Sequence, residues 1–196
     1  MLAVGYTKSK FNTDAMMWFD KFSCKRSDLI ITVGRDLVET VENRFKGKKV
    51  PTTVMINNWI DENEIYPLDE RNERVIAFKK KYGLDGKFVI MYSGNIGLYY
   101  GLENLIKVVE KFGVDTKTAD GREVVFAFVG ASSVLKTLED YVAEHHMDNV
   151  VFIPYQDKAD LIYSLNAGDV HGCVNAKGIK GVSCPSNVYL KLSIAA

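Results

Sequence analysis

Two glycine-bearing segments contain the residues of this sequence that are best suited to bind an anion. The first, 93–97 (SGNIG), follows an apolar run and places Gly94, Asn95 and Gly97 ahead of a segment with helical periodicity. Glycine permits a tight turn and a close approach of backbone to ligand, and the free N–H groups at a helix start attract phosphate. The alternative is a turn that only packs a strand against a helix.

The second segment, 175–184 (NAKGIKGVSC), is long for a connection between a strand and a helix, and such loops are usually functional. Pro and Ser suit the first positions of the helix that follows, where lysines would help to neutralise a diphosphate. The alternative is a surface loop whose lysines are solvated. The candidate phosphate ligands of this segment and of the helix start are Lys177, Lys180, Ser183, Pro185, Ser186 and Asn187.

Gly130 and Tyr155 each follow a further apolar run. Open parallel sheets bind their ligands beyond the carboxyl ends of the strands, which is where both residues are expected. Tyr155 either stacks on a base or ribose, as a flat aromatic face allows, or packs under the next helix. His171 lies inside an apolar run and is predicted to be a hydrogen-bonded core residue.

The elements that position these residues are short apolar runs that alternate with amphipathic segments of helical period. Such alternation predicts βα units and a mostly parallel sheet, a Rossmann-like α/β fold with helices on both faces. The predicted strands cover residues 29–33, 53–56, 88–92, 124–129, 150–153 and 170–174.

The alternating pattern is interrupted by a charged stretch, Asp69 to Arg74. A helical, basic segment around Phe78–Tyr82 and the turn signal Asp85-Gly86 follow it. We therefore predict three parts: residues 1–60 as the tail of an N-terminal Rossmann-like domain, 61–86 as a linker, and 87–196 as a second Rossmann-like domain. The first part holds only two predicted strands, which is too few to close a core of its own. The last predicted helix stops abruptly, so we expect truncation of the second domain at its C-terminus.

Composition and charge limit the function classes. Twenty-five basic and twenty-five acidic residues cancel, so no bulk field favours nucleic acid, and we expect no nucleic-acid partner. No apolar run approaches the roughly 18–20 residues that span a bilayer. The three cysteines are odd in number and never spaced as C-x-x-C, which is typical of a reducing compartment and predicts a cytoplasmic protein.

Several motifs of other enzyme classes are missing. The sequence has no G-x-x-x-x-G-K-[ST], no G-x-G-x-x-G and no H-E-x-x-H, which argues against P-loop, dinucleotide and zinc-protease chemistry. It also has no D-x-D that would hold a metal–diphosphate complex. We therefore expect no metal and no required cofactor, and a diphosphate would be neutralised by backbone amides, helix dipole and lysines.

Four ordered motifs resemble those of family 4 GT-B glycosyltransferases, and the similarity extends from about Ser27 to the end of the chain. The similarity is greatest to bacterial polysaccharide transferases of the colanic-acid and O-antigen type. The motifs are 57–61 (NNWID), 92–97 with 101–103 (YSGNIG and GLE), 151–156 with 169–171 (VFIPYQ and DVH), and 177–178 with 185–189 (KG and PSNVY).

This resemblance implies a GT-B fold whose C-terminal, nucleotide-sugar-binding domain makes up most of the chain. It implies an enzyme that transfers a sugar from a UDP- or GDP-linked donor to a glycan or lipid-linked acceptor, with retention, in surface polysaccharide biosynthesis. The intact enzyme is expected at the inner face of the cytoplasmic membrane, with peripheral contact through the N-terminal domain. Residues 1–196 alone are expected to be inactive, because half of the cleft is missing.

The resemblance also implies roles for individual residues. Gly94 and Asn95 would line the donor diphosphate or the acceptor cleft, and Gly130 and Tyr155 would border the nucleoside. The residues expected to hold phosphate oxygens are Ser183, Ser186 and Asn187.

The sequence departs from the family pattern at its charged positions. Asn95 and Tyr100 are neutral where many family members have Arg and Lys, and no acid stands at the E-x7-E positions near Val182 and Leu190. We therefore expect Lys177 and Lys180 to act on the leaving diphosphate as the catalytic cations. Two alternatives stay open: a non-catalytic GT-B partner subunit, and a nucleotide-sugar 2-epimerase.

Overall fold

The computed structural model describes residues 9–45, 51–97, 100–131, 134–181 and 183–194, apart from the side chain of Asn187. The chain forms two compact units. One unit contains the described residues up to Trp59 together with the loop Asn175–Ser186, and the other contains Ile60–Val174 and the described residues from Asn187 onward.

The first unit is a small parallel βα arrangement. Its two strands are hydrogen-bonded in parallel along their whole length. Ser9 caps the first helix by accepting a hydrogen bond from the N–H of Asn12, and no residue of that helix is buried. The described elements of this unit are α1 (Lys10–Arg26), β1 (Leu29–Thr32), α2 (Arg35–Phe45) and β2 (Thr52–Met55).

The second unit is built on a four-stranded parallel sheet. Its described elements are α3 (Glu73–Lys81), β3 (Phe88–Ser93), α4 (Leu102–Phe112), β4 (Val124–Val129), α5 (Leu135–Glu144), β5 (Val150–Ile153), α6 (Lys158–Leu165), β6 (Val170–His171) and α7 (Asn187–Leu192). The strands follow the order β5-β4-β3-β6, and every pair is parallel.

Both faces of this sheet are covered by helices. All six residues of β4 are buried, as expected for a continuous apolar run at the centre of a parallel sheet. On one face, Val75 and Phe78 of α3 pack against alternate residues of β3 and β4. On the other face, Ile106 and Val109 of α4 pack with Phe126 and the remaining alternate residues. The predicted α/β fold with helices on both faces is confirmed.

The strands form at the six predicted apolar runs, but β1 ends one residue earlier than predicted and β6 ends three residues earlier. β6 contains only Val170 and His171, whereas the prediction extended to residue 174. The Gly172 N–H still donates to the Met91 carbonyl, but the Gly172 carbonyl accepts a hydrogen bond from the Lys191 side chain, so regular pairing ends there.

The segment 61–86, predicted as a linker, contains a folded helix. Asn72 caps α3 by accepting hydrogen bonds from the N–H groups of Arg74 and Val75. Val75 and Phe78 are buried in the core of the second unit, as is Leu84. The three domain boundaries themselves remain a prediction.

A helix must be both long and apolar to cross a membrane. Within the part of the chain that the structure describes, no helix is both long enough and apolar enough to cross a bilayer.

Candidate functional site at the carboxyl edge of the sheet

The topology of the second unit creates a crevice beside β3. The chain runs outward through β3, β4 and β5 and then returns to add β6 on the other side of β3. This reversal is the topological switch point of a doubly wound sheet, where ligands bind beyond the carboxyl ends of the strands. Ser93 and Gly94 border the crevice at the end of β3, and Gly172 and Cys173 border it at the end of β6.

Gly94 and Gly130 bring the loops after β3 and β4 into close contact. The Gly94 N–H donates to the Val129 carbonyl at 3.0 Å, and the Gly130 N–H donates to the Ile153 carbonyl at 3.0 Å. A β-carbon on Gly130 would lie 2.0 Å from the Gly94 carbonyl oxygen. Only glycine fits at this position, so Gly130 determines the path of the neighbouring loop.

The loop after β3 is held by its own side chains. The Tyr92 hydroxyl donates to the Asn95 carbonyl at 2.9 Å, and Ile96 is fully buried. Burial raises the pKa of Tyr92, so the hydroxyl keeps its proton and remains a donor. The side chain of Asn95 is exposed at the rim. At Gly97 a β-carbon would make only ordinary contact with the Asn95 side chain, so the backbone there does not require glycine.

A small cavity of about 120 Å³ adjoins the end of β3. Ser93, Gly94, Tyr155 and Gln156 contribute to its lining. This volume holds a phosphate group or about four water molecules but no whole nucleotide, at roughly 30 Å³ per water. Tyr155 is 73% exposed, so it is not a residue packed under the next helix, and its ring is accessible to a ligand.

Lys191 lies in the same cavity lining and was missed by the sequence analysis. Its side chain is 6% exposed, its ammonium group donates to the Gly172 carbonyl, and it lies 5.0 Å from the centroid of the Tyr92 ring. Burial lowers the pKa of Lys191, and the nearby Cys173 opposes that shift. A usable signal was its position three residues after Val188, on the same side of an otherwise apolar helical segment.

His171 is partly satisfied in the core. One ring nitrogen, Nε2, is 3.0 Å from the Leu165 carbonyl, whereas Nδ1 is buried and has no hydrogen-bond partner among the described residues. Burial lowers the pKa of His171, and the positive charge of Lys191 acts in the same direction. The ring is therefore neutral near pH 7, which fits the core role predicted for it.

The loop Asn175–Ser186 packs within the first unit. The Asp36 carboxylate accepts a hydrogen bond from the Gly181 N–H at 2.8 Å. Gly181 has a φ of 74°, and a β-carbon there would lie 2.3 Å from the Thr40 hydroxyl oxygen. Ile179 is 2% exposed, and the lysines on either side of it, Lys177 and Lys180, are exposed. The loop is thus anchored at Ile179 and Gly181 while its lysines face solvent.

The remaining loop candidates precede a short helix. Ser183 and Pro185 are partly buried, and Ser186 is exposed directly before α7. The described part of α7 covers Asn187–Leu192. The side chain of Asn187, predicted to hold phosphate, lies outside the described part of the chain.

The predicted site residues therefore fall into two groups. Gly94, Gly130 and Tyr155 lie together at the carboxyl edge of the second unit's sheet, with Asn95 and Gly97 in the loop above them. The others belong to the first unit: Lys177, Lys180, Ser183, Pro185 and Ser186. Over the described residues, no cluster of three or more His, Cys, Asp or Glu side chains could hold a metal ion.

Two curated relatives resemble this chain. A protein of Pseudomonas aeruginosa named as a glycosyltransferase, WbjE, is 22% identical over 172 residues, which is 88% of this chain and 40% of WbjE. A protein of Escherichia coli K12 named as a colanic acid biosynthesis glycosyl transferase, WcaI, is 26% identical over 177 residues, covering 90% of this chain and 41% of WcaI. This chain thus spans about two fifths of the relatives' length. No family model matches it.

Solved structures with the same fold include a sucrose-phosphate synthase from Thermosynechococcus elongatus, with a TM-score of 0.63 and 17% identity over 87% of this chain and 41% of that one. Anabaena HepE in complex with UDP-glucose has a TM-score of 0.64 and 15% identity over 83% of this chain and 43% of HepE. The fold is that of GT-B glycosyltransferases. The GT-B architecture implied by the motifs is thereby confirmed.

Proposed function

We propose that this chain is the donor-binding part of a glycosyltransferase that acts in polysaccharide biosynthesis and takes its sugar from a nucleoside diphosphate. The observation that supports the proposal is the crevice at the carboxyl edge of the sheet, where Gly94 and the exposed Tyr155 line one cavity. Two relatives named as glycosyltransferases and the UDP- and UDP-glucose-bound structures of HepE support it.

The crevice offers a different surface to each part of a nucleotide. At Gly94 no side chain separates the backbone from a phosphate, so the main chain can approach it closely. The exposed ring of Tyr155 offers a flat apolar face to a base or ribose. The Asn95 amide at the rim is proposed to contact the diphosphate or the acceptor, and Gly97 is proposed to border the donor.

Catalysis is proposed to consist of stabilising the departing nucleoside diphosphate. Preorganised donors and positive charges aimed at a developing anion are usually the largest contribution to such a reaction. Exposed Lys177 and Lys180 are proposed as the cations that act on this anion, without a metal. Retention and a UDP- or GDP-linked donor belong to the proposal, as do phosphate contacts from Ser183, Pro185, Ser186 and Asn187.

The two other functions considered for the sequence are less well supported. A nucleotide-sugar 2-epimerase and a non-catalytic partner subunit share the fold, but WbjE and WcaI are both named as transferases. The complete enzyme is proposed to act at the inner face of the cytoplasmic membrane on a glycan or lipid-linked acceptor. Residues 1–196 alone are proposed to bind the donor without turning it over.

Isothermal titration of the full chain with UDP and with GDP tests the proposal. We expect one of the two to bind, and ATP and NAD to bind at least about tenfold more weakly, because the sequence lacks the phosphate-binding motifs for both. If neither UDP nor GDP binds at millimolar concentration, the proposal is wrong.

A further inference from the structure

We propose that Lys191 contacts the phosphate groups of the nucleotide donor and supplies the positive charge of the crevice between β3 and β6. This inference rests on the proposed function and assigns a role to a residue outside the sequence motifs. Three observations support it: the position of the Lys191 ammonium group, the burial of the side chain, and the lack of an anionic partner for it among the described residues.

The position of the ammonium group is fixed by two contacts. Nζ donates a hydrogen bond to the carbonyl of Gly172, the residue that follows β6. The same atom lies 5.0 Å from the ring centroid of Tyr92, which belongs to β3. Lys191 therefore places its charge between the carboxyl ends of the two strands that form the switch point.

The ammonium group of Lys191 has fewer hydrogen-bond partners than it has N–H donors. A lysine ammonium has three N–H donors, and burying a charge costs free energy unless it is paired and hydrogen-bonded. The side chain is 6% exposed, and Gly172 provides its one hydrogen bond among the described residues. No carboxylate among those residues forms an ion pair with it. An anion is the partner that would complete this environment.

The nearby acids do not supply that partner. Asp169 directly precedes β6, and its carboxylate already accepts hydrogen bonds from the Arg122 guanidinium at 3.0 Å and from the Val89 N–H at 2.7 Å. Glu70 borders the same outer side of β6 and is exposed to solvent. The charge of Lys191 therefore remains available to a bound ligand.

The adjoining cavity suits a phosphate group. Lys191 and the backbone of Ser93 and Gly94 line it together, and of the described lining residues only Lys191 carries a charge. With a volume of about 120 Å³, it accommodates a phosphate group. Burial lowers the pKa of Lys191, and a bound anion would favour the charged form.

The test compares Lys191→Met with the wild-type chain in titrations with UDP, GDP, inorganic diphosphate, uridine and guanosine. Methionine keeps most of the apolar stem and removes the charge. We expect at least about a tenfold loss of affinity for diphosphate and for the nucleotide that binds, since hydrogen bonds to charged groups are the strong class. Nucleoside affinity should change by less than about twofold. Lys136→Met, which removes an exposed lysine of α5, is the control and should leave all affinities unchanged.

Each outcome separates this inference from the proposed function. If the wild type binds UDP or GDP and Lys191→Met binds it equally well, or loses nucleoside affinity in the same proportion, Lys191 is a packing residue and the inference fails alone. If the wild type binds neither nucleotide nor diphosphate, both fail. Should Lys191→Met not fold, the ¹⁵Nζ resonance of Lys191 in the wild-type chain is followed during diphosphate addition. A shift that Lys136 does not share supports the contact, and no shift contradicts it.

Discussion

The carbonyl oxygen of Gly94 occupies the space that a side chain on Gly130 would need, since a β-carbon there would lie 2.0 Å away. The clash is with backbone, so no side-chain rotation relieves it. Gly130 thereby connects the loop after β4 with the loop after β3, which borders the proposed phosphate site. The sequence resemblance placed Gly130 beside the nucleoside, and the structure adds this packing role.

Gly130→Ala should displace the Gly94 loop and weaken nucleotide binding. We expect a loss of about 1–3 kcal/mol in the free energy of unfolding, as for other overpacked sites, and at least about tenfold weaker binding of UDP or GDP. The control is Gly86→Ala, which has a φ of 71° and open space around the added carbon. It should cost stability without changing nucleotide affinity. Equal nucleotide affinity of wild type and Gly130→Ala would contradict the packing role.

Tyr155→Ala should weaken nucleotide binding without destabilising the fold. The ring is 73% exposed, so its removal takes little from the core. Stacking of a base on an aromatic ring contributes about 1–3 kcal/mol in alanine substitutions, which corresponds to a loss of about five- to 150-fold in affinity. Titration of UDP and GDP measures this loss, and Tyr155→Phe should bind like the wild type. A loss of affinity in Tyr155→Phe as large as in Tyr155→Ala would show that the hydroxyl, and not the ring face, is the contact.

Asp36→Ala should release the loop that carries Lys177 and Lys180. The Asp36 carboxylate holds the Gly181 N–H at 2.8 Å, and a hydrogen bond to a charged group is worth enough to change local opening by about tenfold. Trypsin cleavage after the two lysines should accelerate accordingly, because proteolysis follows the population of the open form. Glu39→Ala, an exposed acid on the same helix, serves as control. Cleavage at the wild-type rate in Asp36→Ala would mean that the loop is held by other contacts.

A carboxylate between α4 and α5 should make stability depend on pH. Glu110 accepts a hydrogen bond from the Tyr141 hydroxyl at 2.7 Å and lies 2.7 Å from His145 Nδ1. The hydrogen bond from Tyr141, followed by that from His145, lowers the pKa of Glu110 in the folded state. The stabilisation is therefore present above the unfolded pKa, near 4.5, and is lost as pH falls through the lower folded value.

Thermal unfolding between pH 3 and 6 measures this contribution. The melting temperature of Glu110→Gln should fall less steeply below about pH 4.5 than that of the wild type. Glu139→Gln, which removes an exposed acid of α5, should follow the wild-type profile. Identical profiles for wild type and Glu110→Gln would contradict the stabilising role of the carboxylate.

The strands of the sheet were predictable because their apolar runs are unambiguous. Residues 124–129 (VVFAFV) can be stable only where both faces are buried, and all six are. The placement of β6 beside β3 was not predictable in the same way. After β5 the chain must cross back past β4 and β3 to pair β6 with β3, and no local sequence pattern indicates this crossover.

The site was predictable where glycine or an exposed aromatic residue marks it. Gly94, Gly130 and Tyr155 lie at strand ends, and strand ends follow from the pattern. Lys191 was missed because lysine is almost never fully buried, and only the tertiary contacts with Gly172 and Tyr92 reveal its burial. The highly charged surface of α3 likewise conceals its two core residues, Val75 and Phe78.

A crystal structure of the chain soaked with UDP- and GDP-linked sugars tests the central claim most directly. We expect density for the diphosphate beside Ser93 and Gly94, in close contact with the Gly94 backbone, and a base stacked on Tyr155. Density for the nucleotide away from the carboxyl ends of β3 and β6 would contradict the account, and so would an empty crevice at saturating concentrations of both sugars.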